Sequence, residues 1–355
     1  MPNQSIRTYL KTKWTFAYLI ASIFLLFASL IGISFGSVSV PIPALLQIIG
    51  KEVFHLPLAV DPDVMLTNIV MNIRLPRVLL AGLVGASLAI AGAAFQGLLR
   101  NPLADPYTLG ISSGASVGAV LTLFLNISLP FIGLYTLPVL SISCSVITIF
   151  CVLAFAKKLD RTMKVETIIL TGIIFSSFLS AFISLMIALT GEELRQIIGW
   201  LMGSVSMRGW NYIMIILPFF IIGSLILFMN TSELNAMTFG EDRAKHLGVD
   251  VRRRKMWILI AGSILTGAAV AVSGTIGFVG LVIPHLVRRI WGPDHRHLLP
   301  LSLLIGSGFL ILADLVSRTI IAPSELPIGV ITSLIGAPAF ALILLQGRRV
   351  SRTDA

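Results

Sequence analysis

From residue 256 to residue 287 the chain carries no Lys, Arg, Asp or Glu. As one helix this run would be about 48 Å long at about 1.5 Å per residue, against about 30 Å of bilayer hydrocarbon. It is too apolar for water and too long for one crossing, so it must enter a membrane, break and return. The break is expected at 273–277 (SGTIG), where two glycines free the backbone at little steric cost. Lys255 before the run and Arg288 and Arg289 after it can share one side of a membrane only if the chain crosses twice.

The rest of the chain follows suit. It is 56% hydrophobic and only 12% charged, whereas a soluble domain is about half apolar and about a quarter charged. Apolar runs at 14–36, 75–99, 107–125, 131–156, 167–190, 212–230, 256–273, 276–291, 298–317 and 327–345 each offer a candidate span. The first exceeds the roughly 7–15 residues of a signal-peptide core and is read as a retained helix. The expected fold is an all-α polytopic membrane protein of about ten transmembrane helices. Its expected parts are a cytoplasmic arm at 1–13, a membrane domain at 14–346 and a cytoplasmic tail at 347–355. The net charge of +10 sits in short loops, as an orientation signal does, and does not point to nucleic acid. With the N-terminus inside, every Lys and Arg falls on the cytoplasmic side except Lys51, Arg74, Arg77, Arg195, Arg208 and Arg318.

A weak internal repeat is present. Residues 80–82 (LAG) and 86–92 (ASLAIAG) echo 260–262 (IAG) and 268–274 (AAVAVSG). In this topology the copies run in opposite directions, as an inverted repeat would; the alternative is a shared small-residue composition of packed membrane helices.

Catalytic readings find little material. No GxxxxGK[ST] phosphate cradle occurs, since Gly50-Lys51 leads into Glu52. His295 and His297, beside Asp294, have a spacing that can chelate, but exposed loop histidines are the commoner case and no metal site is assigned. His285 reads as a packing histidine, and Cys144 and Cys151 as buried thiols about 10 Å apart, too far for a disulfide. Asp314 is the clearest intramembrane carboxylate, with Arg318 one turn later, too little for a proton relay.

Arg74, Arg77 and Arg318 fall at the outer mouth, against the orientation bias. They are either snorkelling anchors or a docking site for carboxylates. Asn101, Pro102, Asp105 and Pro106 form a tight turn; Pro284 lies in the eighth span. Pro327 suits the first turn of the last helix, followed by Gly329.

The long polar interruption at 232–255 is where the chain must meet water. Leu234, Met237, Phe239, Ala244, Leu247 and Val251 recur at helical spacing, with breaks at Gly240 and Gly248. Two short amphipathic helices joined at Gly240 are expected, with Glu241, Asp242 and Arg243 opening the second. The segment is either a solvated loop or a surface laid into a groove of a soluble partner.

Taken together, 74–77 (RLPR), 92–110 (GAAFQGLLRNPLADPYTLG), 277–285 (GFVGLVIPH), 294–296 (DHR) and 325–338 (ELPIGVITSLIGAP) resemble the permease subunits of ABC importers for iron chelates and vitamin B12. The likeness implies a ten-helix subunit working as a homodimer or with a related permease. It also implies two ATP-binding subunits on the cytoplasmic side, which bind ATP and Mg, and a solute-binding protein outside. No cofactor is implied for this chain, and the cell membrane of a prokaryote is its expected location. The segment around Gly240 then matches the coupling helices that rest on the ATPase. Arg74, Arg77 and Arg318 match positions that grip acidic residues of the binding protein. The cargo implied is a siderophore, with a corrinoid or haem as alternatives.

Overall fold

The structure, a computed structural model, describes residues 4–36, 38–56 and 62–353. The first three residues of the expected arm and the last two of the expected tail lie outside this range. Every regular element among the described residues is helical: α1 (Gln4–Ser34), α2 (Ile42–Glu52), α3 (Val64–Leu98), α4 (Ile111–Phe124), α5 (Thr136–Leu159), α6 (Val165–Leu189), α7 (Leu194–Leu201), α8 (Gly209–Met229), α9 (Thr231–Thr238), α10 (Glu241–His246), α11 (Val251–Ser273), α12 (Val279–Trp291), α13 (His295–Thr319) and α14 (Ile328–Thr353). The expected arm is continuous with the first span, because α1 begins at Gln4.

Among the described residues seven helices, α1, α3, α5, α6, α8, α11 and α13, are long and apolar enough to cross a membrane. Two of the other three expected spans form shorter helices, α4 and α12, and the apolar part of the third, α14, runs over Ile328–Ile343. Residues 106–125 divide into a 3-10 turn, Pro106–Leu109, and the 14-residue α4, with Gly110 at φ 77° between them. The uncharged run breaks where the glycines suggested. Helix α11 ends at Ser273, Gly274 takes φ 72°, and the 13-residue α12 starts at Val279.

Helix α3 is the core of the bundle, packed against α13, α11, α12 and α8. Of its most apolar stretch 89% is buried, against 78% in α11 and 17% in α6. The two helices that carry the internal echo are therefore the two most enclosed, and they touch each other. In lipid such enclosure comes from close backbone approach. A Cβ on Gly92 would lie 1.9 Å from the Gly280 carbonyl oxygen, and one on Gly85 would lie 2.3 Å from that of Gly306. Those two contacts press α12 and α13 onto α3. Helix α5 is partly covered, and Cys151 on it is exposed while Cys144 is half-buried. The expectation of two buried thiols thus fails for Cys151, which occupies the outward stripe of its helix.

Candidate functional site

Polar side chains gather at the two ends of the bundle. At the basic end, α9 and α10 form the expected elbow. Gly240 joins them at φ 110°, a conformation L side chains rarely adopt, and Gly248 ends α10's turn at φ 83°. Leu234, Met237, Ala244 and Val251 are buried as the periodicity required. Phe239 and Leu247 are not: they are 67% and 70% exposed and project away from the bundle. Both stand at a C-cap, just past the last residue of their helices, off the face on which Leu234, Met237 and Ala244 turn inward. Asp242 pairs with Lys245 at 2.9 Å on the exposed surface, and Arg243 is exposed beside them.

Three clasps fix the elbow to the bundle. Asn235 donates to Asp294 at 2.7 Å and accepts from the backbone N–H of His295 at 2.9 Å, so α9 is fastened to the foot of α13. Burial raises the Asp294 carboxyl pKa, but the Arg296 N–H and Asn235 outweigh it and hold the group below its ordinary range. Arg254 reaches Asn230 at 3.0 Å and Glu233 at 3.2 Å. Lys255, 3% exposed, donates to Glu241 at 2.6 Å and to the Met163 carbonyl at 2.9 Å. A cavity of about 760 Å³ opens between the elbow, the 160–164 loop with the first residues of α6, and Arg100, with Arg243, Lys245 and Arg252 on its walls.

His295 and His297 diverge. His295 is buried against Asn235. The His297 ring stacks on Trp14 with centroids 3.7 Å apart and meets the Tyr18 hydroxyl at 3.1 Å. Both are packing histidines, as is His285, edge-on to Phe340. The 101–106 turn forms as read: Asn101 accepts from Leu103 N–H, and Asp105 caps the 3-10 turn that Pro106 begins. Pro284 sits inside α12, while the Pro327 carbonyl accepts from Val330 and Ile331 at the start of α14. Gly329 lies against the Met202 and Thr275 carbonyls.

At the far end the three arginines do come together, but each is engaged within the chain. Arg74, 4% exposed, donates to the carbonyls of Ile33 and Ser34 at 2.8 Å and to that of Val38, capping the negative end of α1. Arg318 adds the Gly32 carbonyl and lies 3.5 Å from Asp314. Arg77 bridges Asp314 and Glu325, both at 2.8 Å. A six-residue π segment, Ile69–Arg74, precedes Arg77 and sets the two α3 arginines on different neighbours. The arginines are therefore not open cations: the carboxylates that face them, Asp314 and Glu325, belong to the same chain. Burial in a bundle demands internal partners, and carbonyl ends and carboxylates supply them. Glu325 is the one member of the network that reaches solvent, with 36% of its side chain exposed. Burial tends to raise its pKa, but hydrogen bonding and charge from Arg77 prevail and lower it.

Reasoning from sequence missed Lys255 as a linking residue, Asn235 as a clasp and Glu325 as Arg77's second carboxylate. A lysine in the charged 252–255 run gave no sign of burial. Glu325, two residues before Pro327 and four before Gly329, was legible only as part of a motif.

The sequence profile of the FecCD transport family matches residues 20–346. The chain is 63% identical over 337 residues to the uncharacterized ABC transporter permease protein YvrB of Bacillus subtilis, covering 95% of each. It is 44% identical over 282 residues to the cobalamin import system permease protein BtuC of Halobacterium salinarum, covering 79% of this chain and 74% of that one. A solved metal-chelate type ABC transporter in an inward-facing conformation matches with a TM-score of 0.78 at 31% identity, over 92% of this chain and 98% of that one.

Proposed function

The chain belongs to the FecCD transport family, and on that premise we propose that it is the membrane-spanning subunit of an importer for an iron-siderophore or a related large metal chelate. It is a multi-pass ABC permease; the proposal adds the cargo, the partners and the orientation. A corrinoid or haem is the alternative cargo. The subunit works as a pair, with itself or a related permease, in the cell membrane of a prokaryote with both termini cytoplasmic. ATP and Mg belong to two partner subunits beneath it, and a solute-binding protein delivers cargo at the far end.

One observation carries this reading: the elbow turns two large apolar side chains, Phe239 and Leu247, out into water amid charges. Exposed pairs of this kind mark contact surfaces. Three clasps, that of Lys255 buried, hold the elbow to the bundle, so a load on it reaches the bundle. Phe239→Asp with Leu247→Asp is expected to abolish co-purification of the ATPase subunits while the permease still inserts. Retained co-purification would remove the elbow from the docking surface. Vesicles holding the chain alone are expected not to accumulate cargo under a pH gradient; accumulation would favour a proton-driven secondary transporter.

For the far end, the proposal is that a carboxylate of the binding protein competes with Glu325 for Arg77. Glu325→Gln then strengthens capture, most at low salt, where the Debye length is longest. Unchanged capture would leave the arginines a purely internal role.

A further inference from the structure

We propose that Lys255 is the linkage through which displacement of the elbow moves the loop between α5 and α6; this rests on the elbow being the surface loaded by the ATPase. Lys255 stands on the first turns of α11, yet its ammonium group bonds to neither neighbour on that helix. It spans two other elements, the Glu241 carboxylate at the start of α10 and the Met163 carbonyl in the 160–164 loop.

Geometry makes the link stiff. Lys255 is 3% exposed, so its ammonium has exchanged water for these two partners and cannot release one cheaply. Met163 is 5% exposed and held at φ 53°, unusual for a residue with a side chain. Asp160 braces the same loop by accepting from Thr162 and Lys164 N–H groups. Below α10, by contrast, Asp242 and Lys245 pair only within their own helix. A push on α10 therefore reaches the loop through Glu241 and Lys255, and the loop joins two spans, α5 and α6, on which α11 and the 3-10 turn before α4 also bear.

A linkage in series has a signature that mere stability lacks. The test uses the permease with its ATPase and binding protein in vesicles. Cargo delivered per ATP is measured for Lys255→Met, which keeps the apolar stem, for Glu241→Gln and for the double variant. Nitroxides at exposed Arg161 and Lys245 report the loop and α10 separately. The expected result is a loss of about tenfold in cargo per ATP for each single variant, and no further loss in the double, because both cut one chain of contacts. The α10 label should still move on nucleotide binding while the loop label stays still, and Lys255→Arg should restore part of the coupling.

Wild-type cargo per ATP in Lys255→Met, additive losses in the double variant, or a loop label that still follows α10 would each overturn the linkage. Should Lys255→Met fail to assemble, Glu241→Gln with the two labels decides alone. A wild-type permease that recruits no ATPase would instead refute the functional reading beneath it.

Discussion

Arg77 is where charge and burial meet most sharply. Its guanidinium sits between Asp314, 1% exposed, and the half-open Glu325. Removing one partner of a buried pair strands the other, at a cost of about 3–5 kcal/mol. Arg77→Met is therefore expected to lower thermal stability in detergent by that order. Glu325→Gln, which leaves Asp314 paired, is expected to cost less than about 1 kcal/mol, because solvent screens the exposed carboxylate. A folded-state pKa below the ordinary value of about 4.3 contributes stability that is present above that value and lost as pH falls through the folded pKa. The stability difference between the wild type and Glu325→Gln should accordingly vanish in acid and persist at neutral pH. A pH-independent difference would mean the carboxylate's charge is not what binds Arg77.

At the level of helices, much was legible in apolar length and glycine position, and less in what the helices touch. The break after Ser273 and the bend at Gly240 followed from where backbone needed freedom. Helices α2 and α7 went unread because each is short and amphipathic, and a search for long apolar runs passes over both. Which of the helically spaced apolar residues at 234–251 turn inward and which, like Phe239, turn outward was not legible, because the spacing is the same for either face. Contacts such as Gly92 on Gly280 join residues far apart in sequence, and no periodicity reports them. They are nonetheless decisive. Gly92→Val is expected to force α3 and α12 apart and cost about 1–3 kcal/mol, seen as a fall in thermal midpoint, whereas the same change at Gly191, whose added Cβ meets nothing within 4 Å, should be nearly silent.

Across the whole molecule, the apolar runs gave the all-helical class, because lipid admits few alternatives to helices. The candidate site was legible only as a list of residue types. Three arginines at one mouth read as snorkelling anchors or a docking site for carboxylates, whereas the folded chain sets them on its own carbonyl ends and carboxylates. Of that network only Glu325 is left with a side chain that reaches solvent.

Helix α13 is clasped at its foot by Asn235 of α9 and at its head, through Asp314, by Arg77 of α3. Its 25 residues make a rod about 37 Å long, gripped near both tips. A displacement imposed at one grip is therefore expected to be felt at the other, across Pro300 in the first turns of the helix, so that the two polar ends of the bundle share one mechanical element.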